Sequence, residues 1–122
     1  MTEITQITSG SAIPAEKVID TTVYNAAGDK LGSIEDIIID KVSGRSLYAI
    51  MAFGGFLGLG HKHHPLPWST LTCDKQKEGY VVHLDKKQLE GAPGYDEENV
   101  EWTPTYGRSV DSHYKVPTYW MD

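Results

Sequence analysis

Three histidines within four residues, His61, His63 and His64, follow directly on the loop Gly54-Gly55-Phe56-Leu57-Gly58-Leu59-Gly60. On an extended segment His61 and His63 share a face while His64 points away, so His61 and His63 could place two imidazoles on one metal ion. A structural zinc site needs four ligands, and the lone Cys73 is not at ligand spacing. His83 or His113 would have to arrive through folding. Edge-strand histidines that are solvated or hydrogen-bonded are therefore the stronger reading. A histidine, with a free pKa of about 6.5, could also make an interface sensitive to pH.

The glycine loop invites a phosphate-binding reading, because Gly55 and Gly60 have phosphate-loop spacing. The next residue is His61, however, Lys62 comes one place late, and no Ser or Thr follows. No helix is expected after the loop, so no helix N-terminus would face a phosphate. A wide strand connection that needs positive φ accounts for the glycines. Phe56 and Leu57 at its tip are candidates for contact with another chain. Cys73 beside Asp74 has no activating signature and reads as a buried or half-buried structural thiol. Glu35 and Asp36 are consecutive strand residues that face opposite ways, which prevents joint acid–base action on one substrate. With Asp40 they are expected at a hairpin end, solvated or accepting turn hydrogen bonds. No catalytic residue and no cofactor emerges.

The elements that must position these residues are short. Thr22-Val23-Tyr24 is β-prone, and Asn25 to Asp29 is a turn. Lys30 to Asp40 carries the β-branched run Ile37-Ile38-Ile39 and is read as a strand with a bulge or bend at Gly32. Lys41 to Gly44 turns the chain into the strand Arg45 to Phe53, where Tyr48 and Ile50 face one way and Leu47, Met51 and Phe53 the other. Both faces are apolar, so something must cover the second one. His61 to Pro67 reads as an edge strand, since Pro65 and Pro67 cannot donate to a ladder. Trp68 to Cys73 continues extended, Asp74 to Gly79 is a polar turn, and Tyr80 to Leu84 is the last strand. Asp85 and Gln88 resemble the start of a short helix that Gly91 and Pro93 end.

A chain of 122 residues with one cysteine allows one domain and no internal disulfide, which suits a reducing compartment and a cytoplasmic protein. No apolar run approaches the length of a membrane span. The net charge is −6, with nine basic and eleven acidic side chains in residues 1–90 and two and six in residues 91–122. Basic residues do not cluster, which disfavours nucleic-acid binding. Residues 91–122 nevertheless hold half of the twelve aromatics, Tyr95, Trp102, Tyr106, Tyr114, Tyr119 and Trp120. These rings are expected to dock on the face around Tyr48 and Ile50, or on a second subunit. Pro104 and Pro117 are read as fragmenting the segment, with little room for a long helix.

Val23-Tyr24-Asn25, Gly28, Leu31-Gly32-Ser33-Ile34-Glu35-Asp36, Asp40, Gly44, Tyr48-Ala49-Ile50, the glycine loop and Pro65-Leu66-Pro67-Trp68 together resemble the PRC-barrel family. That family includes the cytoplasmic domain of the photosynthetic reaction-centre H subunit and the C-terminal domain of a ribosome maturation factor. The resemblance spans about residues 17–90, and the ending Tyr114 to Trp120 resembles stand-alone bacterial members. It implies an all-β fold, a small barrel of five to six strands with one short helix and an irregular aromatic C-terminal extension. The expected layout is a flexible arm over 1–15, the barrel over 16–90 and the extension over 91–122. It also implies an interaction or adaptor module with no catalytic residues. The family often has an acid where this chain has His61. The expectation is a non-enzymatic protein that binds an unnamed protein partner or itself, with a homodimer favoured. Phe56, Leu57, Tyr48, Trp102, Tyr119 and Trp120 are the candidate contacts. An RNA- or ribosome-associated factor is the alternative, and a metal-binding protein using His61 and His63 a second.

Overall fold

Among the described residues the chain forms six strands. The computed structural model describes residues 12–53, 62–84, 86–89, 91–96 and 100–120. The strands are β1 (Thr22–Tyr24), β2 (Lys30–Ile39), β3 (Ser46–Phe53), β4 (His63–Pro67), β5 (Leu71–Asp74) and β6 (Gly79–Val82). They form one sheet in the order β4-β3-β2-β1-β6-β5. The first four make an antiparallel meander, and β6 returns parallel to β1 with Val23 opposite Tyr80.

Laid flat, six strands would separate the two edges by roughly 24 Å, five spacings of about 4.8 Å. Yet β4 and β5, the two edges, are joined only by the three-residue 3₁₀ turn Trp68–Thr70. In that turn the Leu71 N–H bonds to the Trp68 carbonyl, shortening a reach that is already small. The edges must therefore come together, and the sheet rolls into a small barrel. Trp68 to Cys73, expected as one extended run, bends at this turn. The Thr70 hydroxyl donates to the Pro67 carbonyl at 2.7 Å and makes the corner. Val23, Ile34, Met51, Leu66 and Val82 fill the interior, fully buried. Each such side chain contributes about 1.5–3 kcal/mol by leaving water.

Two local features set the barrel's geometry. A Cβ on Gly32 would sit 2.1 Å from the Ala52 carbonyl oxygen, so only glycine allows β2 to pass this close to β3. In the same ladder Ile34 faces Met51 and Asp36 faces Ile50, which leaves Glu35 as the extra residue of a bulge. The edge strand β4 is protected by its prolines. His63 exchanges both backbone bonds with Tyr95 on the side away from β3, at 3.0 Å each. Pro65 and Pro67 share that phase, so the N–H groups they lack would have faced outward.

Among the described residues three helical pieces accompany the sheet: the single turns α1 (Ala15–Val18) and α2 (Lys86–Leu89), and α3 (Pro104–His113). The ten-residue α3 corrects the expectation of one short helix and an irregular extension. Pro104 does not break this segment. It occupies the first helical position, and the Thr103 side chain accepts the Tyr106 N–H at 3.1 Å. The glycine loop and His61 lie outside the described residues, and with them the readings placed on Phe56, Leu57 and the His61 half of the metal pair.

Candidate functional site

Sequence reading left the second face of β3 needing a cover, and the C-terminal segment lies on it. Tyr48 is 1% exposed. Its ring stacks on Trp102 with centroids 4.7 Å apart, and Trp102 in turn meets Tyr106 at 4.9 Å and Trp120 at 6.3 Å. The Trp120 indole N–H donates to the Tyr48 hydroxyl at 2.7 Å, and that hydroxyl donates to Asp111 at 2.7 Å. Burial, first, and then the Asp111 carboxylate push the Tyr48 hydroxyl well above the ordinary tyrosine range, so it stays a neutral donor. Asp111, 3% exposed in α3, also accepts the Thr118 hydroxyl at 3.1 Å and the Tyr119 N–H at 3.4 Å. A buried carboxylate with three donors is a satisfied structural hub.

Beyond this hub Tyr119 reaches the β2–β3 turn, donating its hydroxyl to Asp40 at 2.5 Å. That bond, together with the N–H of Val42, lowers the Asp40 pKa from 3.8 to about 2, and the same contact raises Tyr119. The Arg45 guanidinium lies 5.6 Å from the centre of the Tyr119 ring. Between barrel and C-terminal segment runs a cleft of about 380 Å³. Leu47, Tyr48, Pro67 and Trp68 line it from the barrel, and Val116, Pro117 and Tyr119 from the other side. Of the proposed contact residues, Tyr48, Trp102, Tyr119 and Trp120 thus meet one another inside the chain, and Tyr48 itself presents almost no surface.

A second cluster joins β2 to β4. The bulge at Glu35 carries its carboxylate across β3 to His63 Nδ1, with the His63 ring stacked at 5.0 Å on Tyr95. The carboxylate only accepts, so Nδ1 is the donor in this contact. Nε2 is buried without a hydrogen-bond partner among the described residues. Burial, then the charges of Glu35 and Asp36, push the Tyr95 hydroxyl up to about 12. This is how an imidazole is oriented for a metal or a proton. Among the described residues, however, no group of three His, Cys, Asp or Glu side chains could hold a metal ion. Period-two reasoning aimed Glu35 and Asp36 at opposite faces but could not see the bulge that pairs Glu35 with His63. Cys73 is exposed, not buried.

A family model for the PRC-barrel domain matches residues 11–89. The chain belongs to the PRC-barrel family. No curated protein matches it. The PRC-barrel match ends before Trp102, so one wall of the cleft comes from the family domain and the other from the segment that follows it. Among the described residues no helix is long and apolar enough to cross a membrane.

Proposed function

We propose that this PRC-barrel chain is a protein-interaction module without chemistry of its own, and that it also associates with itself as a dimer. The observation carrying this reading is a pair of exposed aliphatic side chains at the end of the β2–β3 hairpin, beside the cleft. Val42 is 90% exposed and Ile39 53%. Large side chains held this far out of the core are the kind of surface that a second chain covers. The polar groups that could have suggested catalysis near Tyr48 are consumed in holding the C-terminal segment.

Sedimentation velocity over a range of concentrations tests the proposal. The parent chain is expected to dimerise, and the double variant Ile39→Thr, Val42→Asp to dimerise at least about tenfold more weakly with its melting temperature kept. A parent chain that stays monomeric throughout would count against self-association. A double variant that dimerises like the parent would move the interface away from this hairpin.

A further inference from the structure

The cleft beside Tyr48 mixes apolar side chains with polar ones, and its polar groups divide by whether they are already bonded. Asp111 accepts from Tyr48, Thr118 and Tyr119, the Tyr48 hydroxyl joins Asp111 to the Trp120 indole, and the Tyr119 hydroxyl donates to Asp40. Among the described residues no hydrogen bond engages the Trp68 indole, the Ser46 and Ser69 hydroxyls or the Arg45 guanidinium, all of which line the cleft. Each of these groups can donate, and only the hydroxyls can also accept. The guanidinium rests against the Tyr119 ring, which leaves its N–H groups to give. Charge selects nothing here. Asp40, ionised at neutral pH, sits across the hairpin from Arg45, its N–H on the Arg45 carbonyl at 2.8 Å, so the hairpin end sets a carboxylate beside its cation. The apolar share of the lining includes Pro67 and Trp68 on the barrel side and Pro117 on the other. Arg45, Ser69 and Pro117 are exposed, so the cleft opens to solvent. Its volume of about 380 Å³ is at the low end of the roughly 300–1,000 Å³ typical of ligand sites.

A ligand suited to such a lining accepts hydrogen bonds, brings few donors and presents compact apolar rings. Proline meets all of these conditions, because its carbonyl accepts, it has no N–H, and its ring packs on aromatic faces. A proline-rich segment is also extended before it binds, with its carbonyls free of internal bonds, which lowers the cost of ordering it. We infer that the cleft docks a proline-rich segment of a partner protein in the polyproline II form, with proline rings between Trp68 and Pro117 and carbonyls accepting from Trp68, Ser69 and Arg45. The inference rests on the interaction-module reading and names the surface and the chemistry of the partner. It also gives the C-terminal segment a purpose. The family domain supplies Trp68, Ser69 and Arg45, and residues 116–119 supply the second wall.

Selection of displayed random peptides on the full chain tests this, with the Ser69→Trp variant, whose indole fills the exposed rim, as counter-selector. Enriched peptides should carry several prolines and no preferred charge. In a synthetic peptide of that kind, replacing the prolines by alanine, which restores N–H groups, should weaken binding at least about tenfold, and so should Ser69→Trp or Arg45→Met in the chain. High salt should change the affinity by less than about twofold. Both substitutions are at exposed positions, and melting temperatures equal to the parent's establish that they fold. The alanine peptide is read on the parent chain and needs no variant. Absence of enrichment, enrichment of peptides without proline, equal binding of the proline and alanine peptides, or equal binding to the parent and both variants overturns the cleft. Sedimentation separates the two ideas. Self-association that is lost in Ser69→Trp assigns the cleft to a second copy and overturns the proline reading. Self-association that persists while the selection fails leaves the interaction module standing without this cleft. Proline-rich peptides selected by a monomeric chain establish the cleft and remove the dimer.

Discussion

The Tyr48 hydroxyl has two neighbours that depend on it, the Trp120 indole N–H and the Asp111 carboxylate. Tyr48→Phe keeps the ring and its stack on Trp102 but leaves both neighbours short of a partner. Unsatisfied buried groups cost about 1–3 kcal/mol each, and Trp120 is only half-buried, so a loss of about 2 kcal/mol is expected in urea unfolding. A change below about 0.5 kcal/mol would mean that water replaces the hydroxyl at no cost. Asp40 makes a pH-dependent contribution. Its carboxyl is held at about 2 in the folded chain against 3.8 when free, chiefly by the Tyr119 hydroxyl. The stability this brings is complete above about pH 4 and is lost as the pH falls toward 2. Unfolding curves for the parent and Asp40→Asn should therefore converge between pH 4 and 2. A gap that stays constant across that window would show that Asp40 does not act through its charge.

At the scale of elements, α3 and the strand it covers are joined through a missing side chain. A Cβ on Gly107 would lie 2.0 Å from the Trp120 indole nitrogen, so glycine is what lets Trp120 lie against the helix. Gly107→Ala improves helix propensity by about 1 kcal/mol but must push the indole away from Tyr48. The helix should survive by circular dichroism while the Trp120 indole proton loses its protection from hydrogen exchange. Retained protection would show that the helix and the tail can separate without breaking the bond. The start of α3 was legible in principle, because Thr103-Pro104 is a capping residue followed by a proline at the first helical position. Counting Pro104 as a breaker overlooked that its absent N–H needs no partner there. Most strands were read more accurately, since glycine and polar turns bound β1, β2 and β6 and the apolar residues of β3 show that both its faces are covered; the corner between β4 and β5 carries no such mark.

For the whole molecule, the family domain and the C-terminal segment form one packed unit through Tyr48, Asp111 and Asp40. Truncation after Gly91 uncovers Tyr48, removes a wall of the cleft and frees Asp40. A lower melting temperature and lower solubility are expected, measured by scanning calorimetry and by the concentration reached before precipitation. A truncated chain that matches the parent in both would show the barrel to be self-sufficient and the segment to be an accessory.

Residue types and spacing alone determined a run of five to six short strands, the proline-marked edge strand and the need for a cover over Tyr48 and Ile50. Those features follow from local rules: which residues turn, which cannot donate a hydrogen bond, and which must leave water. Only the tertiary structure decided that Glu35 meets His63 and that Arg45 and Tyr119 frame a cleft. Residues 28 and 74 apart in the chain come together there. One extra residue in a ladder re-aims a carboxylate, and a tail docked by a buried Asp111 turns a bare face into a groove. Neither event leaves a period in the sequence, because each depends on where distant backbone segments lie.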